Sequence, residues 1–268
     1  MDALIIIFLS CMALGMLTGT LAGMLGIGGG LIIVPVLTAL MTSVGNIDAQ
    51  LAMPMAIATS LFTIIVTGFF SARAHYQLGN IVPRVILWCG AGIAFGAIAG
   101  AQIASLMPAD LLQTVFAVLV IGIAAQMVFG KRKASRFVAT PAILVAVGLV
   151  TGIISALMGI GGGALLVPAL VWFQVPIRQA IGCAALSGLV IALFGTGSFI
   201  IAGWGLPQLP DWALGYVYLP AGVGIMATSV FTAGFGARLG QTMPTDLLKK
   251  ILAGILVLVS IRMIMGME

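Results

Sequence analysis

Apolar residues run along this chain in long blocks and do not alternate with polar ones. No charge falls within residues 3–47, 85–109, 137–177 or 179–210. A membrane-spanning helix needs about 20 apolar residues, whereas a barrel strand needs about 10 in alternation. The blocks therefore predict helices in a bilayer. Five apolar pieces occupy the first half, at 3–25, 31–44, 51–72, 84–106 and 111–130. Five more occupy the second, at 137–158, 164–174, 179–203, 212–237 and 247–266. The second piece of each half is short: the 14 residues of 31–44 reach ~21 Å and the 11 of 164–174 reach ~16 Å, against a hydrocarbon core of ~30 Å. Neither spans comfortably, so each is expected to form a hairpin with the piece before it.

Both short pieces follow the same pentapeptide, GIGGG, at Gly26–Gly30 and Gly159–Gly163. The likeness is wider. Gly19–Leu37 aligns without gaps to Gly152–Leu170, Thr67-Gly68 answers Thr196-Gly197, and Met107–Leu112 answers Met243–Leu248. The chain thus reads as two repeats, 1–130 and 137–268, joined by the basic linker 131–136. Internal repeats with glycine-broken apolar segments at matching positions are a mark of secondary transporters.

Composition agrees with the pattern. Hydrophobic residues make up 62% and charged residues 6%, where a soluble domain carries about 25% charged. Such a chain cannot cover a soluble surface, so its partner is the lipid bilayer. The net charge of +5 is better explained by basic cytoplasmic loops than by nucleic acid. The start, MDALIIIF, lacks the basic n-region of a cleaved signal peptide. Cys11, Cys89 and Cys183 are scattered through apolar pieces and match neither a disulfide framework nor a metal site.

Charge also selects a topology. If GIGGG only kinked one long span, the eleven basic residues would divide seven to four across the membrane. If the chain reverses at GIGGG, ten share one side and only Arg262 stands apart. The positive-inside rule favours reversal. It places the basic side in the cytoplasm and both termini outside. Each repeat then has an odd number of segments. The expected fold is an all-α integral membrane protein of two inverted-topology repeats, each a broken-helix hairpin with a GIGGG tip plus three transmembrane helices. Trp88, Trp172, Trp204 and Trp212 fall near segment ends, where aromatic belts sit. Gly15, Gly19 and Gly23, and Gly92, Gly96 and Gly100, form small-residue ridges that predict close helix packing.

Irregular backbone at membrane depth is tolerated only inside protein or along a water-filled cavity. The helix that starts after each GIGGG presents unpaired N–H groups and a partial positive charge, and glycine leaves that backbone approachable. Gly28, Gly29 and Gly30 in the first copy, and Gly161, Gly162 and Gly163 in the second, are therefore candidate substrate-binding residues for a small anion near the midplane. Thr59, Ser60 and Ser187, near the middles of their apolar pieces, could complete such a site, with Thr196 and Ser198 further along. His75, the lone histidine, is the best candidate for a proton or gating role. The second GIGGG fits G-x-G-x-x-A, but no soluble βαβ unit surrounds it and the first copy fails the pattern, so dinucleotide binding is rejected. All six acidic residues lie at segment ends or termini. A mid-membrane carboxylate, common in cation-coupled carriers, is missing, and an anion fits better. Nothing in the sequence calls for a catalytic residue, a metal or a cofactor: there is no HExxH, no embedded Asp pair and no Ser–His pair.

Taken together, the repeated GIGGG-x3-VP stretch, Ala58-Thr59-Ser60-Leu61, and the H-x3-G-N run from His75 to Asn80 resemble the sulfite exporter TauE/SafE family, also called the toluene-sulfonate uptake permeases. The resemblance covers nearly the whole chain. It implies a multi-pass inner-membrane carrier for small sulfur-containing anions such as sulfite, sulfoacetate or other organosulfonates. The second repeat departs from A-T-S-L, reading Leu186-Ser187-Gly188-Leu189, and has no counterpart of His75. The expected function is export of such an anion by alternating access. The alternatives are a channel-like anion pore and an importer of a related sulfur oxyanion.

Overall fold

A computed structural model describes residues 3–25, 29–129, 140–242 and 254. The linker 131–136 and, apart from Gly254, the apolar piece 247–266 lie outside the described residues. So do Gly26, Ile27 and Gly28 of the first GIGGG.

The apolar pieces fold as helices: α1 (Ala3–Leu25), α2 (Gly30–Ser43), α3 (Ala49–Gln77), α4 (Pro83–Leu106), α5 (Ala109–Phe129), α6 (Pro141–Met158), α7 (Gly163–Trp172), α8 (Ile177–Ala202) and α9 (Leu219–Thr242). Stretches in six of them, α1, α3, α4, α5, α6 and α8, are long and apolar enough to cross a membrane. Local chemistry sets the boundaries. The Asp48 side chain accepts from the Gln50 N–H at 2.9 Å and caps α3. Thr140 caps α6 through the Ile143 N–H, and Pro83 and Pro141 occupy first helical positions, where no N–H is needed. The four tryptophans are all exposed at or near element ends.

One expectation needs correction. The piece expected as a single span from 212 does not start as a helix. Glycine and proline hold residues 203–218 out of helical geometry: Gly205 and Gly215 have φ of 77° and 54°, and Pro207 and Pro210 interrupt the run. Ala213–Leu214 (β1) and Val217–Tyr218 (β2) pair antiparallel, and α9 begins only at Leu219. Hydropathy cannot separate this buried extended segment from helix, because Tyr216, Val217 and Tyr218 are all buried.

Packing pairs helices across the two halves. α1 lies along α9, α4 lies along α6, and α3 and α8 pack together at the centre. The glycine ridges form these seams. A methyl on Gly92, Gly96 or Gly100 would fall on the carbonyl oxygen of Val145, Leu149 or Ile153 of α6. Gly148 and Gly152 bring α6 equally close to Cys89 and Ile93. Gly15 and Gly19 of α1 press on the backbone at Ile225 and Ser229 of α9. Backbones this close gain dispersion contacts and Cα–H···O approaches that bulkier side chains would prevent.

Candidate functional site

The short helices α2 and α7 begin alike. Gly29 and Gly162 are their N-caps, both in the left-handed region at φ 57° and 71°. The Gly29 carbonyl accepts from the N–H groups of Ile32 and Ile33 at 3.0 and 3.1 Å. The Gly162 carbonyl accepts from Leu165 and Leu166 at 3.1 and 2.8 Å. No side chain caps either start. The N–H groups of the first helical turn thus project from each N-terminus, with the positive end of the helix dipole behind them.

The α1–α2 and α6–α7 junctions meet. A methyl on Gly30 would fall on the Gly159 carbonyl oxygen and lie 3.0 Å from Ser60 Oγ. Ser60 donates to that same carbonyl at 2.8 Å. Gly188 of α8 packs on the Gly161 carbonyl. Gly159 itself ends α6 at φ 65°. Glycine is required at these points because two backbones occupy the space of side chains.

A cavity of about 540 Å³ opens from the junctions. Gly29, Gly161 and Gly163 form its deep end. From there it follows the C-terminal half of α3 past Thr63, Thr67 and Ser71 to His75. Ile181 to Gly188 of α8 and Ile225 to Ala233 of α9 form the facing walls. This mouth lies at the basic end of the bundle. Arg73 and Arg84 flank the α3–α4 loop, and the start of α8, with Arg178, meets that loop where Gly182 touches Asn80. Among the described residues, the lining has no carboxylate, lysine or arginine side chain, and His75 is its one titratable group.

The expected site residues divide. Gly29, Gly161, Gly163 and His75 line the cavity. Gly30 and Gly162 belong to the junctions behind it. Gly28 lies outside the described residues. Thr59, Ser60 and Ser187 do not line it. The Thr59 hydroxyl accepts the Tyr218 N–H at 2.9 Å, and Ser60 holds Gly159. Ser187 is buried with no hydrogen-bond partner. Lining hydroxyls that sequence reading missed are Thr18, Thr63, Thr67, Ser71 and Ser229. Three of these had a signal: Thr59, Thr63, Thr67 and Ser71 recur every four residues, a stripe along one helix face. The H-x3-G-N run also has a physical account. Gly79, at φ 67°, turns the chain so that the Asn80 N–H donates to the His75 carbonyl at 3.0 Å. Asn80 Nδ2 then lies 3.5 Å from His75 Nδ1 at the cavity mouth.

On the far side of the junctions the space is filled. Tyr216, Val217 and Tyr218 are inserted against α3, α8 and α9. Tyr216 meets Phe199 edge-on at 6.2 Å and its N–H reaches the Phe199 carbonyl at 3.4 Å.

The sequence model of the sulfite exporter TauE/SafE family matches residues 11–263. A probable membrane transporter protein of Haemophilus influenzae is 39% identical over 257 residues, covering 95% of this chain and 97% of its own. One of Methanocaldococcus jannaschii is 26% identical over 247 residues, 90% of each chain. Another, YunE of Bacillus subtilis, is 25% identical over 280 residues, with 96% and 97% covered. No solved structure matches the chain.

Proposed function

The chain belongs to the sulfite exporter TauE/SafE family and is a multi-pass membrane transporter; from that premise we propose that it is a secondary carrier exporting a small sulfur-containing anion, such as sulfite, sulfoacetate or another organosulfonate, by alternating access. One observation carries this reading. Two uncapped helix N-termini open on a single cavity whose lining, among the described residues, has no carboxylate. Preorganised N–H donors at two positive dipole ends suit an oxyanion and repel a cation. Coordination by backbone also suits a group whose charge is spread over several oxygens.

Two further features support the mechanism. The cavity reaches the basic end of the bundle, which by the positive-inside rule faces the cytoplasm of an inner membrane, with both termini outside. The opposite end is filled by β1–β2. The described conformation then receives the anion from the cytoplasm. Leaving through an inside-negative potential gains ~2.3 kcal/mol per charge per 100 mV, so export needs no coupling ion. Exchange of helix partners between the halves (α1 with α9, α6 with α4) supports two inverted repeats, 1–130 and 137–268, rocking about the site. GIGGG is then the tip of each hairpin.

Purified protein in liposomes should move labelled sulfite with saturation and respond to an imposed potential. A panel of sulfite, thiosulfate, sulfoacetate and sulfonates would rank substrates. Flux that rises linearly with concentration would mark a pore, and failure to move any of these anions would sink the assignment.

A further inference from the structure

The proposed anion leaves one demand unmet by the residues assigned so far: hydroxyl protons that are free to point at it. An anion is held by donors, and a hydroxyl whose proton already bonds a carbonyl offers only an acceptor. Most hydroxyls along the cavity are in that position. Thr18 donates to the Leu14 carbonyl at 2.7 Å, Thr63 to Ser60 at 2.7 Å and Thr67 to Thr63 at 3.3 Å. Ser71 is exposed near the mouth.

Ser229 differs. It lines the cavity from α9, is 3% exposed, and its Oγ has no hydrogen-bond partner. Its neighbours on α9 have partners. Thr228 donates to the Met12 carbonyl of α1 at 2.7 Å, and Thr232 donates to Thr228 at 3.2 Å. A buried hydroxyl without a partner is uncommon and calls for a reason. Ser155, Ser187 and Thr196 are also unpartnered, but none of them lines the cavity. Of the buried hydroxyls among the described residues, Ser229 alone combines a place in the cavity wall with an unused proton.

We propose that Ser229 is a substrate-contact residue whose hydroxyl donates to an oxygen of the bound anion, adding a side-chain donor from α9 to the backbone donors at Gly29 and Gly163. The inference rests on the anion-carrier reading above. Rotation of one side-chain torsion between staggered wells carries the oxygen into the cavity without moving the backbone. Because Ser229 sits on the helix that packs along α1, it also links anion occupancy to that seam.

The test compares S229A with T196V, which removes an equally buried, equally unpartnered hydroxyl away from the cavity. In proteoliposomes S229A should raise the KM for sulfite about tenfold or more, the scale of a lost hydrogen bond to a charged group, with Vmax within about twofold. T196V should leave both unchanged. Detergent-solubilised protein gives a second readout: the sulfite concentration that half-saturates thermal stabilisation should rise about tenfold in S229A. This decides the matter even where a variant reconstitutes poorly. A wild type stabilised and saturated by sulfite, with S229A matching it in both assays, overturns the role of Ser229 alone. A shift of equal size in T196V does the same. A wild type that neither binds nor moves any sulfur oxyanion overturns the carrier reading and this inference with it.

Discussion

The two sides of the glycine junctions are built from the same helices and have opposite contents. Toward the basic end, α3, α8 and α9 stand apart around 540 Å³. Toward the other end they close on the extended segment Tyr216–Tyr218, held by the Thr59 hydroxyl and the Phe199 ring. The difference is therefore one of filling by chain, with no change of helix type or composition. The seal is also modest. Withdrawing Tyr216, Val217 and Tyr218 into water would expose three largely apolar side chains at ~2 kcal/mol each and free two N–H groups, those of Tyr216 and Tyr218, at ~1 kcal/mol each. Closing the cavity would bury more of Phe70 and Ile181, the exposed large apolar residues of its lining, and offset that cost. Sealing one side as the other opens is the balance that alternating access needs.

The comparison can be broken at three points. The largest effect is expected from Gly161→Leu. A Cβ there meets Ile64 at 3.4 Å and the Gly188 backbone at 3.8 Å, ordinary contacts, so the backbone is not strained. The rest of the side chain enters the cavity. Sulfite flux should be abolished while the melting temperature in detergent stays within a few degrees. Normal flux in this variant would contradict a central site at the junctions.

Thr59→Val should act on the other side. It leaves the Tyr218 N–H buried without an acceptor, a cost of about 1–3 kcal/mol carried only by the sealed state. The population should move toward outward opening about 5- to 150-fold. A thiol at position 63 reports this, with Cys11, Cys89 and Cys183 replaced by alanine. Outer-face labelling by an impermeant maleimide should accelerate in Thr59→Val. An unchanged outer rate would show that the Thr59–Tyr218 bond does not hold the seal.

Gly30→Ala should have the smallest effect, and mainly on stability. Its methyl falls on the Gly159 carbonyl, so the junctions must part, at about 1–3 kcal/mol. A chain of this size should lose a few degrees in melting temperature. An unchanged melting temperature would mean that the junctions do not pack as closely as Gly30 and Gly159 indicate.

Most helix boundaries were legible because block hydropathy and glycine punctuation agree. The short pieces 31–44 and 164–174 appear as Gly30–Ser43 and Gly163–Trp172. α3 runs to Gln77, beyond the expected 72, because Arg73 and His75 end the apolar block without ending the helix. The segment before α9 was misread because burial of Tyr216–Tyr218 looks the same to hydropathy in extended and helical form. Its warning signs were Pro207, Pro210 and Gly215. For the site, glycine revealed where backbone would be bare. Sequence could not reveal which hydroxyls were already occupied. Thr59 and Ser60 find partners in Tyr218 and Gly159, remote in sequence, and only folding shows that. Ser229 is the reverse case: an ordinary serine in an apolar helix, distinguished only by lacking a partner where a cavity passes.

The most direct test of the central claim is sided labelling of Thr63→Cys in that cysteine-free background, with and without sulfite. Thr63 lines the cavity next to the paired junctions. An anion site that is open toward the basic end in the described conformation predicts faster modification by an impermeant maleimide from the basic face than from the opposite face, with saturable slowing by sulfite. Equal modification from both faces, or a rate indifferent to sulfite, would contradict it.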